Sequence, residues 1–478
     1  MHKQSLTLQD KFITLVKSTV KIEYLILSIM LVIGFIVRLY KIDNPIADWH
    51  SWRQADTSAV SRNFVKDGID MFYPRYDDVS SIQSGKDNPN GIRMVEFPIY
   101  NAIHAVLFKT FGIYTLEKWG RLLTTAISLL TAVFLFLLGR KHYSSKIGLL
   151  TAFFFLFLPF NIYFSRVVLP DPLGVLFVVS SLYFFGVNNF VSAILFALAL
   201  LQKPYFGVYL LPFLPEFLKK EKFKQNIMYL FTAFTPFLVW RYWTGLHPEG
   251  IPFYIWAFNG DKIRFHPAFF RWIFGERIGI LILGTWGLVL FTLGLLRRLK
   301  DKFNIYFVLS ALAYLLMVAT ANVRHDYYQI LIIPPIAMTL ALGTNWLWKR
   351  SKIILLLSLL TMFLISWDRI KPFYQINHYE LITVGKIVDE LLPKDAKIVI
   401  PYNGDTAFLY QTNRKGWPAV DDSIDNIIER GADYYVSIDL GSPDSINFSK
   451  RFKTIAKTNE YIILDLHDEL EPKTTIKK

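Results

Sequence analysis

Residues 22–40, IEYLILSIMLVIGFIVRLY, run straight into KIDN and then into residues 45–60, PIADWHSWRQADTSAV. The first block has about the length a helix needs to cross hydrocarbon, roughly 20 apolar residues, and a helix is the only open-ended conformation that satisfies its own backbone there. The second block crowds Asp48, Asp56, His50, Arg53 and two tryptophans into the first turns beyond it. What those polar residues can do depends on the side of the membrane they occupy, so topology comes before chemistry.

The pattern of residues 22–40 recurs. Of 478 residues, 53% are hydrophobic and 16% aromatic, only 19% are charged, and the apolar residues gather in blocks. This is the composition of a polytopic α-helical membrane protein. With no cysteine in the chain, disulfides, thiolate metal sites and cysteine nucleophiles are excluded. The net charge of +14 suits anionic headgroups or a phosphate-bearing substrate, and no nucleic-acid partner is expected.

Eleven spans are read, at about 22–40, 119–139, 147–164, 172–188, 190–203, 205–218, 226–243, 277–296, 304–320, 328–347 and 353–369. The short connections RKHYSSK (140–146), KKEKFK (219–224), RRLKDK (297–302) and KRSK (349–352) are basic, and the N-terminal tail adds Lys3, Lys11, Lys17 and Lys21. Eleven spans put all of them on one side, which the positive-inside rule names the cytoplasm. The segment FPIYNAIHAVLFKTFGIY (97–114) is nearly apolar enough to span. Counting it would move three basic clusters outside, so it reads as an interfacial helix with Pro98, His104 and Lys109 at headgroup depth.

The outer face then comprises loop 41–118, loop 244–276 and the tail after 370. Residues 1–370 read as the transmembrane domain and 371–478 as a small extracytoplasmic α/β domain, with strand-like runs at Lys397–Tyr402, Asp433–Ile438 and Tyr461–Leu466. That domain carries neither a phosphate-binding glycine pattern nor a metal-ligand cluster.

Ser51 and Gln54 have the spacing of a capping box, predicting a helix from about Trp52 to Val65 with Asp48 and His50 on the loop before it. Asp56 and Asn63 fall on its apolar side. Arg53 and Asp56, at i and i+3, could simply pair along the helix. The same loop continues with YPRYDD (73–78) and MVEFPIY (94–100), which bring Asp77 and Glu96 next to aromatics and prolines. A carboxylate at the outer surface is what sugar transfer from a lipid carrier needs, to take the acceptor's proton while basic groups hold the phosphate. Lys203 of LLQKPYF is a candidate phosphate contact, or a snorkelling lysine. Arg166 and Asp171 of SRVVLPDPL occupy another outer turn, where they could also merely pair. NVRHDYYQILIIPPIA (322–337) places His325, Asp326 and Tyr328 at the mouth of the tenth span, ahead of a double proline. Loop 244–276, with His247, Trp256, Arg264, His266 and Trp272, could cover a sugar phosphate or form an interfacial belt.

These stretches, with EFPIYNAIHAVLFKTFG, RLLTTAISLLTAVFLFLLGRK, FSRVVLPDPLGVLF, LLQKP and HDYYQILIIPP in that order, resemble the GT-C glycosyltransferases over about residues 20–370. The chain looks most like the bacterial glycosyltransferase family 39 proteins, related to protein O-mannosyltransferases and lipid A aminoarabinose transferases. The resemblance implies a polyprenyl-phosphate-linked sugar donor, transfer at the outer face of the cytoplasmic membrane, Asp48 as catalytic base and Lys203 on the donor phosphate. Many relatives have two adjacent acids where this chain has Asp48 followed by Trp49. That departure leaves open a second acid, for which Asp56 or His50 could stand in, and a divalent metal ion.

The reading that follows is an inverting sugar transferase, with Lys203 and Arg53 on the phosphate and the outer loops enclosing an acceptor that is a lipid, a glycan or a protein. The alternative, a transporter or flippase of a lipid-linked amphiphile, predicts ionisable residues at mid-membrane depth. The spans carry almost none.

Overall fold

The computed structural model describes residues 22–296 and 301–470; the N-terminal lysines and residues 297–300 of the third basic connection lie outside them. Helices α1 (Ile22–Arg38), α2 (Ser51–Asp67), α3 (Ile99–Phe111), α4 (Leu116–His142), α5 (Ser145–Phe157), α6 (Asp171–Phe184), α7 (Asn189–Gln202) and α8 (Phe223–Gly245) follow in order. They are succeeded by α9 (Gly287–Leu296), α10 (Lys302–Met317), α11 (Ile333–Trp348) and α12 (Lys352–Ile370). Caps mark several starts: the side chains of Thr115, Ser144, Asn188, Asp301 and Ser351 each accept a backbone N–H of the first turn.

Each apolar block of the sequence is helical, but not every block forms a helix of full membrane-crossing length. Among the described residues, three helical segments are long and apolar enough to cross a membrane: Leu116–His142, Asp326–Trp348 and Lys352–Tyr374. A fourth is obtained if Pro267–Ile282 and Gly287–Leu296, bent by 113°, count as one. The reasons are local. Pro204, Pro212 and Pro215 reduce block 205–218 to a 3-10 helix and one α-turn. Pro159 breaks block 147–164 after Phe157. The segment Arg271–Ile282 is a π-helix that ends in a sharp turn.

The basic connections share one end of the bundle. Arg140 donates to Glu23 at the start of α1 (3.2 Å), and Lys141 caps the carbonyls of Tyr183 and Phe185 (2.7 and 2.5 Å). His142 stacks on Phe303, Lys146 lies over Trp348, and Phe185 packs on Phe217 before the 219–224 connection. Close helix crossings rest on small residues. A Cβ on Gly139 would stand 2.7 Å from the Gly148 Cα, and one on Gly294 only 2.0 Å from the Thr339 carbonyl oxygen.

At the opposite end, α2 is buried along almost its whole length and packs on α3 and α4. The predicted interfacial helix is α3, and its His104 faces protein. It is fully buried between Ser61 (3.0 Å) and the Leu116 carbonyl (2.6 Å), because Gly120 leaves room for its ring.

The C-terminal residues form a five-stranded sheet in the order β2-β1-β3-β5-β4. The strands are β1 (Lys397–Val399), β2 (Lys415–Trp417), β3 (Tyr434–Ser437), β4 (Phe452–Lys457) and β5 (Ile462–Glu469). β1 runs parallel to β2 and β3, and β5 antiparallel to β3 and β4. The sheet does not stop at β2. Val79 N donates to the Gly416 carbonyl (2.9 Å) and Gly416 N to that of Asp77 (3.0 Å), so residues 77–79 of segment 41–118 extend the edge. Val79 is buried with Trp417 and Val399, and Ala407 and Tyr410 share a core with Ile46, Ala55, Phe64 and Tyr76. Apolar burial therefore joins segment 41–118 to the C-terminal unit.

Candidate functional site

A cavity of about 460 Å3 opens at the end of the bundle opposite the basic connections, where α2, residues 82–95, the turn at Lys203, residues 251–258 and Tyr327–Tyr328 converge. Its walls are aromatic, with Trp52, Tyr205, Tyr254, Trp256, Tyr327 and Tyr328. Arg53, Arg93, Lys203 and Arg241 interrupt them.

Three of these cations have an acid behind them. Arg53 Nη2 donates to both oxygens of Glu96, at 2.8 and 2.7 Å. Arg93 Nη2 lies 2.6 Å from Asp56 Oδ2, and Lys203 Nζ lies 2.5 Å from Asp171 Oδ1 and over the ring of Tyr328. The remaining nitrogens are the informative ones: Arg53 Nη1 and Arg93 Nη1 are buried and have no hydrogen-bond partner. A buried guanidinium N–H without an acceptor is costly, so these two arginines, with Lys203, give this wall an unsatisfied positive character that suits an anion. The acids sit in a small recess behind the two arginines, lined by Asp56, Glu96, Thr57 and Asn101. Burial raises the Asp56 pKa, only partly offset by Arg93 and the Thr406 hydroxyl.

The capping box is not formed. His50, with left-handed backbone (φ 57°), is the N-cap without a side-chain bond, and Gln54 instead donates to Asp48. Nor do Arg53 and Asp56 pair along α2; each has a partner from the 93–96 segment. Asp56 and Asn63 do face protein, both buried.

Asp48 lies beneath the floor and not on the cavity wall. Its Oδ1 accepts from Gln54 (2.7 Å), and its Oδ2 from Arg121 (3.1 Å) and Arg166 (3.2 Å), with all three ionic side chains at 0% exposure. Arg166 therefore serves Asp48 and the Tyr40 carbonyl rather than Asp171. His50 and Asp326 form a separate cluster behind Trp52 and Tyr327. Asp326 accepts from Trp49 Nε1 (2.8 Å), is paired with Arg277, and has His50 Nε2 at 3.7 Å. Burial and the neighbouring His50 push His325, packed on Trp52 and Trp256, down to about 4. Asp77 is remote from the cavity, bound to Arg62 and Asn63 at the C-terminal unit. From loop 244–276, Trp256 reaches the cavity, whereas His247, Arg264, His266 and Trp272 do not line it.

Sequence reasoning thus brought Arg53, Lys203 and Tyr328 to the wall, and Asp56, Glu96 and Asp171 immediately behind it. It missed Arg93, Arg121, Arg241, Tyr205 and Thr406. Arg93 and Arg121 carried a signal, since each is an isolated arginine close to a stretch already singled out. Among the described residues no three His, Cys, Asp or Glu side chains converge. Asp56 and Glu96 are each paired with an arginine.

The arrangement as a whole is similar to solved structures of the GT-C fold. ArnT from Cupriavidus metallidurans in the apo state aligns with TM-score 0.65 at 11% identity, over 91% of this chain and 97% of that one. The same protein bound to undecaprenyl phosphate aligns with TM-score 0.60 over the same shares, again at 11% identity. The oligosaccharyltransferase AglB from Archaeoglobus fulgidus, in complex with an inhibitory peptide and a dolichol-phosphate, aligns with TM-score 0.54 at 10% identity, over 95% of this chain and 75% of that one. No family profile matches the sequence, and no curated protein matches it. The fold is GT-C, most of the chain takes part in it, and the protein is a helical membrane protein.

Proposed function

We propose that this protein is a glycosyltransferase that moves a sugar from a polyprenyl-phosphate-linked donor to an acceptor at the outer face of the cytoplasmic membrane, with inversion at the sugar. The observation that carries the reading is the pair of partnerless guanidinium nitrogens of Arg53 and Arg93, beside Lys203 in an aromatic cavity. It is supported by a fold in which one solved example holds undecaprenyl phosphate and another a dolichol-phosphate.

The chemistry follows from charge. As the sugar–phosphate bond breaks, negative charge grows on the leaving phosphate oxygens. Preorganised arginine N–H groups and the Lys203 ammonium stabilise it more than they stabilise the ground state. The tyrosine and tryptophan faces suit a sugar ring and the first isoprene units. The acceptor hydroxyl or amine attacks the anomeric carbon from the face opposite the phosphate, and a carboxylate takes its proton.

Sequence reasoning gives that last task to Asp48. The geometry favours Glu96, whose carboxylate borders the recess behind the cavity wall, whereas Asp48 would first have to leave Gln54, Arg121 and Arg166. A carboxylate tied to Arg53 is a weak base, but a phosphate leaving group makes little demand on it. The transporter reading is disfavoured because the charged groups collect at the end of the bundle and not at its middle.

The test is to incubate purified protein with a panel of polyprenyl-phosphate sugars and candidate acceptors and to measure release of the free lipid phosphate, with and without chelator. Release that depends on an acceptor supports the reading. Binding of the carriers with no turnover on any sugar, combined with their movement between leaflets of a vesicle, would replace it with the transporter.

A further inference from the structure

The C-terminal unit reaches Asp56, behind the cavity wall, through a hydroxyl. Thr406, 4% exposed, donates to Asp56 Oδ1 at 2.6 Å, and the other oxygen of the same carboxylate holds Arg93 Nη2 at 2.6 Å. Asp56 is thus gripped from two directions, by a residue roughly 350 positions away and by a residue of the cavity wall. A second link runs through the loop that extends the sheet. Ser81 N and Oγ donate to Asp421 Oδ2 at 2.9 and 2.8 Å, and the next residues, Ile82 and Gln83, form part of the same wall.

We propose that Thr406 is a positioning residue for the cavity: by fixing Asp56 it sets the direction in which Arg93 offers its free N–H, so that the C-terminal unit is a working part of the anion site. The identity of the anion as a lipid-linked phosphate rests on the function proposed above; the positioning itself does not.

The physics is that of a buried charge with few partners. Asp56 Oδ1 has no access to water, so loss of the Thr406 hydroxyl removes a charge-assisted bond that nothing replaces. The charged and titratable groups facing Asp56 are Arg93 and Arg53, Glu96, Tyr76, and the carboxyls of Asp78 and Asp405. With Thr406 absent, Asp56 takes up a proton at higher pH, and Arg93 then loses the anion that aims it.

The experiment compares full-length wild type, T406V and T406S in detergent. Two quantities are read from pH 5.5 to 8: affinity for undecaprenyl phosphate, and the rate at which phenylglyoxal modifies Arg93, followed by peptide mass spectrometry. T406V is expected to bind roughly tenfold more weakly, with the loss growing as pH falls, and to modify several-fold faster at Arg93, with a melting temperature lowered only as far as one lost buried bond requires. T406S, which keeps the hydroxyl, is expected to restore both. If wild type does not bind undecaprenyl phosphate, the functional reading fails while Arg93 reactivity still decides the positioning claim. Equal Arg93 reactivity in T406V and wild type across the pH range, or a T406S as impaired as T406V, overturns the proposal.

Discussion

Arg53 holds Glu96 through a single nitrogen, Nη2, which lies 2.8 and 2.7 Å from the two carboxylate oxygens and leaves the buried Nη1 without a partner. The pair therefore does two jobs at once, orienting a cation for an anion and keeping an acid close to it.

The two candidate bases give opposite expectations. If Glu96 accepts the proton, E96Q lowers turnover by at least ~100-fold while carrier binding stays or tightens, because Arg53 is released. D48N then keeps most activity in whatever fraction folds. Single-turnover release of lipid phosphate from the two purified variants reads the difference. Loss confined to D48N would return the role to Asp48.

Removal of the Asp48 carboxylate altogether is a folding defect in this structure. D48A leaves Arg121 and Arg166 buried at 0% exposure without their shared anion. Breaking a buried pair in this way costs about 3–5 kcal/mol. A lower melting temperature and lower yield of monodisperse protein are expected, with D48N intermediate because its amide oxygen can still accept.

Lys203 is tested by K203M, which keeps the aliphatic stem over Tyr328 and removes the charge. Weaker carrier binding, with a shallower dependence on salt, is expected. D171N has the opposite sign for binding, since it frees the ammonium from its 2.5 Å partner.

His104 supplies a pH dependence. The Leu116 carbonyl can only accept, so Nε2 carries the proton and Nδ1 accepts from Ser61. Burial pushes its pKa down to about 4 from an ordinary 6.5. The folded state thus holds the ring neutral between those values while the unfolded chain is protonated. Stability from this group is present above pH 6.5 and is lost as pH falls toward 4. Melting temperatures should show that slope in wild type and less of it in H104Q. G120A, whose Cβ would meet the ring at 2.7 Å, should lower the melting temperature at all pH values.

The sequence made the helical membrane class legible because hydropathy blocks report burial in lipid directly. It could not report helix length, since Pro204, Pro212 and Pro215 interrupt the geometry of a block without changing its hydropathy. Of the C-terminal strands, β1, β3 and β5 were visible as short β-rich runs. β2 is three residues of which one is glycine, and β4, FKTIAK, continues a helical stretch in composition. In the site, residue types were legible and partnerships were not. Arg53 to Asp56 has ideal helical spacing, yet burial of α2 on both sides brought Glu96 and Arg93 closer than the helix neighbour could come. Thr406 carried no signal at all, because its role exists only through a contact across most of the chain.

The strand pairing between residues 77–79 and β2 also fixes an order of events in biosynthesis. Segment 41–118 leaves the ribosome hundreds of residues before Gly416 and Trp417, so Val79 must wait for the last quarter of the chain, and the core around Ile46 and Ala55 stays incomplete until Ala407 and Tyr410 arrive. A nascent chain that stalls or terminates early presents that apolar surface to chaperones and proteases. Completion of the cavity end of the bundle is therefore tied to completion of translation, and a shortened product is a substrate for quality control.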